Sequence, residues 1–330
     1  MIKKLKIENF TAFDNIIADF VPGVNIFIGA NGTGKTHILK ILYSVCSTSN
    51  IKNIEKCLLD IFLPSQQAKY PLAQLLRKGS VCAYISIQDN DDNTEYIEIN
   101  QHGNIGNPFA FAKKIHSVYV PVKEMLANAP GFRSLYSLRE IHFEGVYTDI
   151  IDRAFLPYLK KNDASQHRLL NLIKENIGSE IIIKNEEFYL KNNAGEIEFT
   201  LAAEGIRKLA LLWILIRNGS LMKNSLLFWD EPETNLNPSL IPIIVEVLLE
   251  LQKMGVQIFI ATHSYVLCKE FELQRIKHPI RFFSLYMEEN KEISLKTSDV
   301  YHTLSPNRIA DQFARMYGKE IELVLRRSNG

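Results

Sequence analysis

No run of apolar residues in this chain is long enough to cross a bilayer. The longest, residues 209–216 and 226–229, stop well short of the roughly 20 that a spanning helix needs. There is no surplus of either charge. Lys and Arg number 38 against 37 Asp and Glu, a net charge of +1, which argues against a strongly basic nucleic-acid surface but leaves room for a local patch. Only four cysteines occur, Cys46, Cys57, Cys82 and Cys268, and no C-x-x-C spacing joins them. They read as reduced, mostly buried thiols and not as disulfides or zinc ligands. The opening residues MIKKLKIENF alternate as a strand does and do not form a signal peptide. Internal repeats and low-complexity tracts are missing too, so the expectation is a soluble cytoplasmic protein. Its 330 residues, 46% of them apolar, suffice for one large α/β domain with an insertion, or for two lobes.

What is present begins with residues 29–36, which read Gly29, Ala30, Asn31, Gly32, Thr33, Gly34, Lys35 and Thr36. This is the spacing G-x-x-x-x-G-K-[ST] of a phosphate-binding loop, set between an apolar strand at 24–28 and a helix at 35–45. The glycines let the backbone turn its N–H groups inward around a phosphate, and the helix start adds a positive dipole end. Lys35 is then expected to bridge β- and γ-phosphates, and the Thr36 hydroxyl to hold Mg²⁺.

Two later strand ends complete the pattern. Residues 226–231 read Leu-Leu-Phe-Trp-Asp-Glu, an apolar strand closing on two acids. Buried strands tolerate carboxylates poorly, so a pair at a strand's end needs a reason. Beside a phosphate loop, Asp230 is expected in the Mg²⁺ coordination sphere and Glu231 as the residue that positions and deprotonates the attacking water. Residues 256–264 read Val-Gln-Ile-Phe-Ile-Ala-Thr-His-Ser, another buried strand, with His263 just past its end. Open α/β sheets place their ligands there, and a histidine at that point can bond a γ-phosphate oxygen. The other seven histidines (37, 102, 116, 142, 167, 278 and 302) have no metal-ligand spacing and read as structural.

Around these motifs the chain divides in three. Residues 1–122 carry strands at 4–10, 15–20 and 24–28, the loop and its helix. A helical stretch over 50–80, broken by Pro64 and Pro71, leads to a hairpin of 81–88 with 94–100 and a strand at 115–120. Over 123–178 strand signals vanish and helix-period apolar residues appear at 148–159 and 166–177, which reads as a helical lid or insertion. Residues 179–330 hold short strands at 180–184, 187–191 and 196–201, a strongly apolar helix at 205–217, the two buried strands, a hairpin of 281–287 with 292–296, and a last helix at 308–326.

Phosphate loop, strand-Asp-Glu-Pro, Asn-Leu-Asn-Pro and Thr-His-Ser, in that order, resemble the ABC-type ATPase superfamily. The pattern Ile-Glu-Asn-Phe-Thr-Ala-Phe ahead of the loop is similar to its SMC/RecF/OLD side and not to a transporter subunit. The match covers residues 1–48 and 200–265 well, and the middle by architecture only. The resemblance implies an α/β P-loop NTPase with an ABC-ATPase-like head: a mixed β-sheet flanked by helices, an antiparallel β subdomain and a helical insertion. It implies an ATPase using ATP and Mg²⁺, assembled head-to-tail as a homodimer or higher homo-oligomer. A signature segment of one subunit then closes the nucleotide on another, with residues 235–238 as the D-loop and Phe13 or a nearby aromatic as an adenine contact.

The best signature candidate is Ala202-Ala203-Glu204-Gly205-Ile206-Arg207-Lys208, which departs from the pattern. Alanine stands where serine is usual and glutamate where glycine is usual, while Gly205 keeps the helix start open and Arg207 is placed to add charge toward a phosphate. A clear Q-loop glutamine is also missing; Lys123 or Glu124 stands near its place. The stretch after His263 is short for the nuclease domain of OLD-type proteins, and 123–178 lacks the sustained heptads of SMC arms. On family likeness the chain resembles the stand-alone ATPase subunits of bacterial anti-phage defence systems (the PtuA and AriA type), which pair with a separately encoded nuclease or toxin. The alternative is a RecF-like repair ATPase clamping DNA, with Lys113, Lys114, Lys160 and Lys161 as its basic patch.

Overall fold

The computed structural model describes residues 1–48, 51–106, 115–139 and 141–328. Lys113 and Lys114 lie outside them. Strands β1 (Ile2–Phe10) and β2 (Phe13–Asp19) form an antiparallel hairpin, with Phe10 opposite Phe13 at its tight end. β3 (Val24–Gly29) runs into the loop and then α1 (Lys35–Cys46), followed by α2 (Ile51–Phe62). β4 (Cys82–Asp89), β5 (Thr94–Asn100) and the short β6 (Ile105–Gly106) extend the first hairpin into an antiparallel sheet of order β2-β1-β4-β5-β6. After β7 (Ser117–Val120) come α3 (Phe132–Arg139), α4 (Gly145–Ala154) and α5 (Ala164–Ile177). A small antiparallel sheet follows, β8 (Glu180–Lys184), β9 (Glu187–Asn192) and β10 (Gly195–Glu198).

The remaining chain alternates helix and strand: α6 (Glu204–Arg217), β11 (Leu226–Asp230), α7 (Ile241–Lys253), β12 (Gln257–Ala261) and α8 (Tyr265–Gln274). It ends in the hairpin of β13 (Ile280–Met287) with β14 (Ile293–Ser298), then α9 (Arg308–Ser328). The central sheet has the order β14-β13-β3-β12-β11-β7 and is parallel throughout except for the β13–β14 hairpin.

The central strands are apolar end to end because both faces of their sheet are covered. Successive side chains leave a strand on opposite faces, so each strand feeds two cores. Ile26, Ile28, Leu227, Trp229, Ile258 and Ile260 pack with α6 and α7 on one face. Phe27, Phe228, Phe259 and Phe283 pack with α1 and the antiparallel sheet on the other, where Phe27 and Phe283 stack at 4.8 Å. α4 and α5 place Ile150, Ile151, Leu169 and Ile173 in the core shared with α6 and α7.

Two local expectations are corrected. The helix expected at 148–159 is α4, shifted toward Gly145 and ended ahead of Pro157, since a proline disfavours helical geometry in the residue before it. The strand expected at 196–201 stops at Glu198, and Phe199–Leu201 becomes a 3₁₀ turn that buries Phe199. The pattern reading also passed over α7 and α8. A nearly continuous apolar run such as Ile241–Lys253 has little periodic contrast to announce a helix.

Candidate functional site

The loop after β3 has the backbone its glycines permit. Gly32 and Gly34 sit at φ of 78° and 88°, in the left-handed region that glycine occupies at least cost. At Gly34 a side chain is excluded twice over, because a Cβ there would stand 2.4 Å from Cζ of Phe13. Phe13 is fully buried, with its ring beneath the loop, so it is not the exposed adenine contact the resemblance implied. A phenylalanine in β2 faces the shared core, and the ring's role is to support Gly34 from below.

Lys35 opens α1 and folds back over the loop, its Nζ donating to the Gly29 carbonyl at 2.9 Å and the Ala30 carbonyl at 3.1 Å. Thr33 Oγ1 also donates to Ala30 O at 2.9 Å, which closes the turn. Burial pushes the Lys35 ammonium down to about 8, against the upward pull of Glu231, Asp230 and Glu233. Three carboxylates therefore already face this amine.

The two acids leave the end of β11. Asp230 lies opposite Ala261 of β12 and is almost fully buried. Its Oδ1 accepts from Thr36 Oγ1 at 3.2 Å, and its Oδ2 from the Tyr119 hydroxyl at 3.4 Å. Burial pushes its carboxyl up to about 6, and the negative charge of Glu231 adds to the rise, while the Thr36 hydroxyl, Lys40 and the Tyr119 hydroxyl oppose it. A buried carboxylate beside a hydroxyl is a hard-oxygen pair suited to Mg²⁺, which takes one or two protein oxygens and completes its shell from phosphate and water. Thr36 and Asp230 thus fit as the residues that would hold that ion.

Glu231 turns out of the strand with φ of 47°, a conformation uncommon for a side chain other than glycine and frequent at functional sites. Its N–H donates to the Ala261 carbonyl at 2.8 Å. Thr234 Oγ1 donates to its Oε2 at 3.1 Å, and its Oε1 lies 3.1 Å from Nε2 of His263. Burial and the charge of Lys35 hold the imidazole below its ordinary pKa, against Glu231 and Glu233. A neutral ring facing a carboxylate carries its proton on that nitrogen.

The structure therefore brings Lys35, Thr36, Asp230, Glu231 and His263 to the exits of three adjacent strands, β3, β12 and β11. The signature-like segment reaches this site only through Lys208, which bonds the main chain after Glu231. Arg207 is engaged within its own chain: Nε donates to Glu124 Oε2 at 2.5 Å, and Nη1 to the carbonyls of Phe199 at 2.9 Å and Ala202 at 2.7 Å. This corrects the expectation of a guanidinium directed at a phosphate. Gly205 is buried, and a Cβ on it would meet Leu240 at 2.8 Å and Leu236 at 3.0 Å. Close approach of those leucines accounts for the glycine, and Ala203 is the residue the segment exposes.

Tyr119 and Glu233 are not singled out by the sequence, and Glu124 and Lys208, which are, make contacts it does not foretell. Tyr119 holds Asp230. Glu124, standing where a glutamine was sought, is buried, pairs with Arg207 and is pushed above the usual carboxylate range by that burial. Lys208 sends Nζ to the carbonyls of Pro232 at 3.3 Å and Thr234 at 2.5 Å. Glu233 accepts from Thr262 Oγ1 at 2.6 Å and from the backbone N–H of His263 at 2.9 Å. Glu233 left a local signal, as the third acid in Asp-Glu-Pro-Glu.

A family model described as "AAA domain, putative AbiEii toxin, Type IV TA system" matches residues 86–269, more than half of the chain, and one described as "AAA ATPase domain" matches residues 1–117. The DNA replication and repair protein RecF of Staphylococcus carnosus is 27% identical over 106 residues, covering 29% of this chain and 29% of that protein. RecF of Streptococcus uberis is 40% identical over 47 residues, covering 14% and 13%. The chain thus spans less than a third of the length of the curated relatives it matches. Among solved structures, an SMC head bound to the C-winged helix domain of ScpA superposes with a TM-score of 0.59 at 14% identity, over 92% of this chain and 98% of that one. The Pyrococcus furiosus Smc head with an extended coiled coil gives 0.54 at 13% identity, over 97% and 99%. These likenesses show an SMC-head-like P-loop ATPase fold.

Proposed function

This chain belongs to the AAA-domain family whose model spans residues 86–269, and on that premise we propose that it binds ATP with Mg²⁺ and hydrolyses it slowly. The observation that carries the reading is the meeting of Thr36 with Asp230 at 3.2 Å and of Glu231 with His263 at 3.1 Å, on the strand exits beside the glycine loop. Bound Mg²⁺ would neutralise phosphate charge as it develops. In this reading Lys35 exchanges its two loop carbonyls for β- and γ-phosphate oxygens. Glu231 orients a water for attack on the γ-phosphorus and takes its proton, ADP being the leaving group. His263 Nε2, now on Glu231, would bond a γ-phosphate oxygen once nucleotide is bound.

We divide the chain into an N-terminal lobe (1–122), a helical insertion (123–178) and a C-terminal lobe (179–330), so that Lys35 and Asp230 come from different lobes. The signature-like segment meets the chain's own site only through Lys208 on the main chain and exposes Ala203, which supports a site completed by a second copy. Its altered residues, with Arg207 held inside the chain, favour a nucleotide-dependent switch over a fast motor. The reading extends to a cytoplasmic homodimer or higher homo-oligomer that controls a separate effector, a nuclease or toxin, in anti-phage defence.

The test is ATP binding, phosphate release and light-scattering mass with and without ATP. Lys35→Ala is expected to abolish binding, and Glu231→Gln to trap a nucleotide-bound oligomer. A wild-type protein that binds no ATP overturns the reading, and an ATP-independent mass in Glu231→Gln overturns the assembly.

The RecF matches favour a second reading, ATP-dependent clamping of DNA. Lys160 and Lys161 are exposed and available to a phosphate backbone. Filter binding across a salt series decides it: retention that needs ATP and falls steeply with salt supports DNA binding, and no retention at low salt removes it.

A further inference from the structure

We propose that Glu233 is the positioning residue of this site, holding His263 in place against Glu231. The geometry is a three-residue bridge across two strand exits. Glu233 Oε1 accepts both the Thr262 hydroxyl at 2.6 Å and the His263 backbone N–H at 2.9 Å, so one oxygen of the chain after β11 pins the first two residues after β12. Thr262 is itself buried, and its Oγ1 accepts from Ser264 N at 2.9 Å, which fixes the next residue of the same turn. His263 leaves this pinned backbone with Nε2 3.1 Å from Glu231 Oε1. Glu231 and Glu233 thus act on one histidine from the same short segment, one on the ring and one on the main chain.

The segment bearing Glu233 is anchored from the other side. Lys208 of α6 is buried, and its ammonium holds the carbonyls of Pro232 and Thr234, the two residues flanking Glu233. The second carboxylate oxygen, Oε2, is shut off from solvent and has no hydrogen-bond partner. Shutting one carboxylate oxygen away without a partner costs stability. Its charge faces the Lys35 and Lys208 ammoniums and the His263 ring, and each of the three feels it. The cost is explained if Glu233 must fix the histidine to within a fraction of an ångström, since a misplacement of ~1 Å at a reacting site can lower a rate about 100-fold.

The catalytic half of this inference rests on the ATPase reading above; the positional half does not. Both are tested with Glu233→Ala, which removes the acceptor, and Glu233→Gln, which keeps an acceptor oxygen and removes the charge. ¹⁵N-histidine NMR on the full chain, with His263→Asn to assign the resonance and Glu231→Gln to identify the carboxylate-dependent shift, reads the ring's contact directly. Glu233→Ala is expected to lose that shift and Glu233→Gln to keep it. In ATP turnover, Glu233→Ala is expected to lower kcat about tenfold or more with KM for ATP within about threefold, and Glu233→Gln to restore most of kcat. A His263 resonance unchanged in Glu233→Ala overturns the proposal. So does a Glu233→Ala protein whose KM and kcat decline together with no rescue by glutamine. A wild-type protein with no turnover sinks the ATPase reading alone, and the NMR still decides whether Glu233 positions the ring.

Discussion

Thr36 Oγ1 donates to Asp230 Oδ1 at 3.2 Å, a contact between residues 194 positions apart. It joins the exits of β3 and β11, which are not neighbours, because β12 lies between them and leads to His263. The register of that middle strand sets the distance. Ile260 stands opposite both Ile26 of β3 and Trp229 of β11, so β11 and β12 finish level and β3 runs two residues further into the loop.

Asp230→Asn keeps the shape of this contact and removes the charge that would face Mg²⁺. Phosphate release at saturating ATP is expected to fall by about 100-fold or more, with partial recovery at raised Mg²⁺. A Mg²⁺ titration of both proteins checks this, and equal release at every concentration contradicts the assignment.

Gly34→Ala meets two penalties, a backbone at φ of 88° and a Cβ 2.4 Å from the Phe13 ring. Together they are expected to destabilise the fold by roughly 2–4 kcal/mol. Urea unfolding measures the loss. Adding Phe13→Leu, a shorter side chain, should return part of it, because only the contact penalty depends on the ring.

His37 follows the loop directly, its Nδ1 3.0 Å from Thr11 Oγ1 and its ring edge-on to Phe62. Burial, with a smaller push from the Lys40 charge, lowers its pKa from 6.5 to about 4. The unfolded chain therefore binds a proton between pH 6.5 and about 4 that the folded chain does not, so stability is whole above that window and is lost as pH falls through it. His37→Gln is expected to flatten this limb in thermal melts taken from pH 7 to 4, and an unchanged slope would rule the histidine out as its cause.

Arg207 and Glu124 form a buried pair, and removing one member strands the other. Arg207→Ala is expected to cost about 3–5 kcal/mol, because Glu124 loses its ion-pair partner and two carbonyls lose a donor. Arg207→Met combined with Glu124→Leu should recover most of that loss, and equal melting of the single and double variants would show the pair to be of no account. Arg207→Lys is not expected to rescue, since an ammonium cannot reproduce the guanidinium fork.

The parts of the site legible in sequence are those whose chemistry is local. Eight consecutive residues make the loop, the strand before it and the helix after it, so residues 29–36 could be read from spacing alone. The acids at 230 and 231 stand out because a carboxylate at the end of an apolar strand is costly without a purpose. His263 is marked in the same way by its place after a buried run. Phe13, Arg207 and Gly205 are not legible in the same way, because an aromatic, a guanidinium and a glycine each suit either a ligand or a packed interior. Which one applies depends on neighbours far away in sequence: Gly34 for Phe13, Glu124 for Arg207, Leu236 and Leu240 for Gly205.

By itself, then, the sequence determined the strand–loop–helix unit, the two acid-bearing and histidine-bearing strand ends, and the α/β class that apolar runs alternating with helices imply. The tertiary structure alone decided that β12 lies between β3 and β11, that Glu233 rather than a distant residue holds His263, and that Arg207 is engaged within its own chain. The physical reason is range. Backbone turns and strand burial follow from neighbours a few residues away, whereas register and side-chain pairing across a sheet are set by how two whole cores pack on its faces.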